Sequence, residues 1–188
     1  MTMGQGSSKE ATRNFAEVFT SPHVVFFMIL QPKLRDVMTD ENKVILDPAA
    51  GQGQYGCSEL VWRMFYTALD LPPRERVKCI LTNLSNIYHL ELQPKNVDWC
   101  KRHLLATVCD AYEFFFGEPF LYFMEAAKII QSRVIQCNAL EWLAENTPAE
   151  KRDKEFYNGI KDQAKRGFIS KACVDRILNA KNQQQSLF

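Results

Sequence analysis

Lys43-Val44-Ile45-Leu46-Asp47-Pro48-Ala49-Ala50-Gly51-Gln52-Gly53 carries most of the fold information in this chain. Val44-Ile45-Leu46 is a short β-branched apolar run, the pattern of a buried strand. Pro48 ends that run, and Gly51 and Gly53 supply the backbone freedom that a sharp turn and a close ligand approach require. Apolar residues then recur at helical spacing from Ser58 to Leu69, with Leu60, Val61, Met64, Phe65 and Ala68 predicted to face inward. Strand, glycine turn and helix in this order read as the first unit of a parallel α/β sheet.

Working outward, Asn86 to Glu91 reads as a second strand ended by Gln93-Pro94, and Val134 to Asn138 as a third. Between them, Asn96 to Cys109 has Val97, Cys100, Leu104 and Val108 on one helical face. Arg76 to Leu84 reads as a short helix, and Tyr112 to Phe120 as an aromatic-rich insertion. Its Phe114-Phe115-Phe116 run could stack on bases or pack in the core or an interface, with packing the stronger reading. Upstream, Lys9 to Val18 has helical character. Ser21 can cap a helix opened by Pro22, carrying Val24, Val25, Phe27 and Met28 inward and breaking near Pro32. No strand is predicted after Glu141. Residues 151–181 are polar and helical, with nine Lys or Arg against four Asp or Glu, a local excess of five positive charges. That excess suits either phosphate contacts or a solvated helix face.

Composition narrows the function classes. At 188 residues with 46% hydrophobic side chains, the chain fills one core and is neither disordered nor a disulfide mini-scaffold. A net charge of +1 gives no global attraction to nucleic acid, so DNA contact needs a local patch. Cys57, Cys79, Cys100, Cys109, Cys137 and Cys173 contain no C-x-x-C pair, and MTMGQGSS lacks the basic and apolar parts of a signal peptide. A cytoplasmic protein with reduced thiols and no metal site is therefore expected. The longest apolar run, Val24 to Leu30, is too short to span a membrane.

Glu91 adds chemistry to the glycine turn. A carboxylate ending the second strand can accept two hydrogen bonds from the cis hydroxyls of a ribose, as in nucleoside-cofactor sites at the carboxyl ends of parallel strands. Four segments occur in the order found in one family: Phe19-Thr20-Ser21-Pro22, Asp47-Pro48-Ala49-Ala50-Gly51-Gln52-Gly53, Ile87-Tyr88-His89-Leu90-Glu91 and Cys137-Asn138-Ala139-Leu140. Together they resemble N6-adenine DNA methyltransferases, most nearly the methylase subunits of restriction-modification systems and their phage relatives. The resemblance spans roughly residues 15–142. It implies a Rossmann-like S-adenosylmethionine-dependent methyltransferase fold, truncated or remodelled after the third strand. It also implies S-adenosylmethionine as cofactor, with Phe19 and Thr20 opening the pocket and Asp47 facing the methionine end. Pro48, Gly51 and Gly53 would form the cradle, Glu91 would hold the ribose, and Asn138 with Ala139 would lie at the adenine.

Two departures from the family pattern matter. Asn138 stands where the family prefers aspartate, although its amide oxygen can still accept a hydrogen bond. The family's N-P-P-Y or D-P-P-Y element is missing; the only Pro-Pro pair is Pro72-Pro73, ahead of the second strand and followed by Arg74. No catalytic residue is assigned. The family places the first strand centrally in its sheet, so loss of a fourth strand would expose an apolar edge here. Either the C-terminal helices or a homo- or hetero-oligomeric partner is expected to cover that edge. The expected organisation is a mobile leader over 1–8, a cofactor-binding domain over 9–142, a basic helical extension over 143–181 and a flexible tail over 182–188. Gln184-Gln185-Ser186-Leu187-Phe188 resembles the peptide by which bacterial DNA-processing proteins bind the sliding clamp, with Gln184, Leu187 and Phe188 as anchors. Two functions follow: the cofactor-binding part of a split adenine methyltransferase, or a catalytically inactive methyltransferase-like module acting on DNA or the clamp.

Overall fold

The computed structural model describes residues 20–185. The expected leader over 1–8 and the helix expected from Lys9 to Val18 lie outside the described residues. The chain divides after Gln136 into two compact units.

The first unit is built on three short parallel strands in the order β1 (Ile45–Asp47), β2 (Ile87–Glu91) and β3 (Val134–Gln136). Ile45, Leu46 and Asp47 stand opposite Ile87, Tyr88 and His89, and His89, Leu90 and Glu91 opposite Val134, Ile135 and Gln136. Parallel strands need long crossovers, and each here contains two helices. Two shorter helices, α1 (Pro22–Ile29) and α2 (Pro32–Met38), precede β1. Helices α3 (Gln54–Ala68) and α4 (Pro73–Ser85) join β1 to β2, while α5 (Pro94–Phe116) and α6 (Phe123–Arg133) join β2 to β3. The α/β class expected from the sequence is therefore present as a small parallel sheet among helices.

Sheet position explains the burial of the strands. In β2, Ile87, His89 and Leu90 are buried, so both faces of this central strand are covered. Gly56 of α3 lies on the His89 side, and the Arg133 guanidinium, at the end of α6, sits 4.7 Å from the Tyr88 ring centre. The sequence pattern predicts a buried β1 from Val44 onward, yet its three residues are half-buried and Val44 is 64% exposed. The cause is edge position: among the described residues β1 has only β2 as a strand neighbour.

Four further expectations are corrected by packing. Of Val24, Val25, Phe27 and Met28, only Val25 is buried. It joins Ile29 and Met38 against Ile45, Tyr55 and Trp62. A helix reading PHVVFFMI has no polar face to orient it, so its neighbours decide which side turns inward. Phe65 is exposed rather than inward, while Leu60, Met64 and Ala68 are fully buried. The expected aromatic insertion is instead the last turns of α5, where Tyr112 is buried and Phe115 and Phe116 pack on the core; Phe114 alone points outward, 82% exposed. The sequence reading assigns no element between Phe120 and Val134, where α6 buries Ala126 and Ile130 at an i, i+4 spacing.

The second unit contains α7 (Ala139–Asn146), a 3₁₀ turn (Ala149–Lys151), α8 (Lys154–Lys165) and α9 (Lys171–Gln185). Ala144, Ile160, Ile169, Cys173 and Ile177 form its core. Asp153 caps α8 by accepting the Phe156 N–H at 2.8 Å. α9 runs through Gln185, so Asn182 to Gln185 is helical where a flexible tail is expected. No helix among the described residues is long and apolar enough to cross a membrane.

Candidate functional site

The glycine turn lies at the carboxyl ends of β1 and β2, and backbone geometry explains its composition. Gly51 and Gly53 have φ values of +54° and +88°, in the left-handed region that side chains with a Cβ rarely enter. The Ala50 N–H donates to the Leu90 carbonyl at 3.0 Å, extending the ladder by one bond before the chain leaves the sheet. Gly53 then begins α3, its carbonyl accepting the Cys57 N–H at 2.8 Å. A Cβ on Gly53 would lie 3.0 Å from the Cys100 sulfur and 3.3 Å from the Cys100 Cα. The absence of bulk at Gly53 therefore serves internal packing against α5 as well as any ligand.

Glu91 and the turn are joined directly. One Glu91 carboxylate oxygen, Oε2, accepts the Gly51 N–H at 2.8 Å, and Oε1 accepts the Gln93 N–H at 2.8 Å. The carboxylate is thus held by two backbone donors. Carboxylates offer about four acceptor positions, so capacity remains for hydroxyl donors. Asp47, 12% exposed at its side chain, uses Oδ1 to accept the Ala49 N–H at 3.1 Å, which tightens the start of the turn. On the other side, the His103 ring bonds the Gln52 carbonyl through Nδ1 at 2.8 Å. His103 also contacts the Trp99 ring, with centres 5.4 Å apart. α5 thereby fixes the outer rim of the turn.

Beneath the turn lies a buried polar layer. His89 is 1% exposed, its Nδ1 stands 3.9 Å from Asp47 Oδ2, and neither ring nitrogen has a hydrogen-bond partner. Gly56 permits this: a Cβ there would sit 2.2 Å from His89 Cε1. Tyr55, Glu59 and Arg63 follow one another at four-residue intervals on α3. Glu59 and Arg63 are completely buried. One Arg63 nitrogen, Nη2, donates to the carbonyls of Asp40 and Lys43 at 2.6 and 2.8 Å, anchoring α3 to the loop before β1. The Glu59 carboxyl has no hydrogen-bond partner. Burial pushes it up to about 8; nearby Arg63 opposes the rise and nearby Asp47 adds to it. Burial likewise pushes Tyr55 up to about 12, helped by Glu59 and Asp47. The sequence reading includes His89 only as part of the second strand and passes over Tyr55, Gly56, Glu59 and Arg63. Starting the helix at Ser58 hides the first two, whereas the Tyr-x-x-x-Glu-x-x-x-Arg spacing was there to be read.

The structure brings Asp47, Pro48, Gly51, Gly53 and Glu91 together at one end of the β1–β2 pair. Thr20 is exposed ahead of α1, and Phe19 lies outside the described residues. Asn138 and Ala139 lie near the start of the second unit, which begins at Cys137. There the Asn138 oxygen caps α7 by accepting the Leu140 N–H at 3.0 Å, and its amide nitrogen donates to the Phe168 carbonyl at 2.8 Å. Both ends of that amide are engaged within the second unit. Leu187 and Phe188 lie outside the described residues, as do the side-chain surroundings of Gln184. Pro72 and Pro73 cap and open α4, which is structural use of a proline pair. No protein-family model, curated protein or solved structure matches the chain.

Proposed function

We propose that this chain binds S-adenosylmethionine at the glycine turn and is the cofactor-binding part of a split or multi-chain N6-adenine DNA methyltransferase. The observation that carries this reading is the bond between Gly51 and Glu91. It joins the segment suited to a close ligand approach to the carboxylate suited to a ribose, at the carboxyl ends of adjacent parallel strands. A nucleoside laid across that end would meet the bare glycine backbone on one side and the remaining acceptor capacity of Glu91 on the other. The chemistry would be in-line methyl transfer to an adenine nitrogen turned out of its duplex. A partner chain would supply the proline-aromatic loop and cover the outer edge of β1.

The use of Pro72-Pro73 as a helix start favours a second reading, a catalytically inactive methyltransferase-like module acting on DNA or a DNA-bound partner such as the sliding clamp. The test common to both is calorimetric titration of S-adenosylmethionine into the full chain, with Asp47→Ala and Glu91→Ala as controls. Micromolar binding lost in both variants supports a working pocket. No heat at high ligand concentration removes the cofactor reading and leaves the module.

A further inference from the structure

The least satisfied part of the first unit is the polar layer under the turn. Asp47, Glu59, Arg63 and His89 occupy it, and Arg63 is the only permanently charged cation among them. With both Asp47 and Glu59 ionised, the group would hold one negative charge in excess. An uncompensated charge in such a place is costly. One proton restores neutrality, and the Glu59 carboxyl, fully buried with no hydrogen-bond partner, is placed to hold it. Among the described residues no three His, Cys, Asp or Glu side chains are placed to hold a metal ion that could balance the charge instead.

We propose that this buried layer carries one dissociable proton, and that a cationic ligand bound at the Asp47 end of the turn expels it to solvent. The proposal rests on the reading of the turn as an S-adenosylmethionine site; the sulfonium and α-ammonium groups of that ligand are the cations concerned. A cation beside Asp47 does the electrostatic work of the proton, which then leaves Glu59 for bulk water with no other bond made or broken. The neighbouring groups do not compete. Tyr55 on α3 and Cys79 on α4 are pushed up to about 12 and about 11 by burial, and Cys100 on α5 is raised too, so all three stay protonated near neutrality. Asp40 and Glu41, on the loop before β1, act on Arg63. Glu91 is occupied by two backbone donors. Because linkage is reciprocal, the ligand's affinity must then rise with pH.

The test is calorimetric titration of S-adenosylmethionine into the full chain, at one pH in buffers of differing ionisation enthalpy and then across about pH 5.5 to 7, where the ligand's α-ammonium keeps its proton. The expected result is release of about one proton per ligand, with Kd falling by up to about tenfold per pH unit below the titration point of the layer. Glu59→Gln makes the layer neutral without a proton, so it should bind with no proton release and no pH dependence. Binding with buffer-independent heat and constant affinity overturns the linkage and leaves the cofactor reading standing. Unchanged proton release in Glu59→Gln also overturns it. Absence of any binding overturns both. Should Glu59→Gln fail to fold, the wild-type buffer series decides the matter alone.

Discussion

Glu91 and Glu59 are both carboxylates of the first unit, set on neighbouring elements and treated in opposite ways. Glu91 ends a strand, where the chain turns and backbone N–H groups point outward, so it gains two donors from Gly51 and Gln93 and remains half-exposed. Glu59 sits mid-helix, where every backbone donor nearby is already used by the helix, and faces inward with no hydrogen-bond partner. The lesson is that a carboxylate's environment follows from the element that carries it. Strand ends offer donors and helix interiors do not. The paired acid suits binding; the orphaned one suits holding a proton.

This contrast can be broken or sharpened by substitution. The largest effect is expected from Glu59→Gln and depends on pH. In the unfolded chain Glu59 titrates near the ordinary 4.5, and in the folded one near 8. The stability it contributes is complete below the lower value and lost as pH rises through the upper one. Urea unfolding of both proteins across that window should show the variant gaining on wild type, on the order of 4 kcal/mol by the top of the range. A flat difference curve would place Glu59 in a solvated or ion-paired site.

Gly56→Ala comes next. Its Cβ would fall 2.2 Å from a histidine ring that is walled in on all sides, so a loss of about 3 kcal/mol is expected in denaturant melts. Gly53→Ala combines a φ of +88° with crowding by Cys100 and should lose about 2 kcal/mol. Glu91→Ala leaves the Gly51 and Gln93 N–H groups without their acceptor and should cost about 1–2 kcal/mol. Faster amide exchange at Gly51 would identify the turn as the part that loosens. At the small end, Gly159→Ala in α8 meets open space and should stabilise the second unit by about 0.5–1 kcal/mol, read as a raised Tm.

Parts of this architecture were legible because they depend on local pattern. The Ile45–Asp47 and Ile87–Glu91 strands, the turn between Asp47 and Gly53, and the inward row Leu60, Met64 and Ala68 follow from periodicity and punctuation alone. α1 shows where pattern fails: with apolar residues almost all round, its sequence is compatible with several inward faces. Tyr112 to Phe116 misled for the opposite reason, since an aromatic cluster reads as an interruption until a core exists to receive it.

By itself, then, the sequence determined that a strand would stop at Asp47, that the chain would turn through glycines, and that a second strand would end in an acid. Those outcomes depend on residue shape and backbone freedom over a few positions. Only the tertiary structure decided that Glu91 would clasp Gly51 forty residues away. The same holds for the fit of Gly56 over His89 and of Gly53 against Cys100, and for the burial of Glu59 without a partner. These are contacts between surfaces brought together by packing, and no local rule encodes which donor, ring or thiol a distant segment will meet.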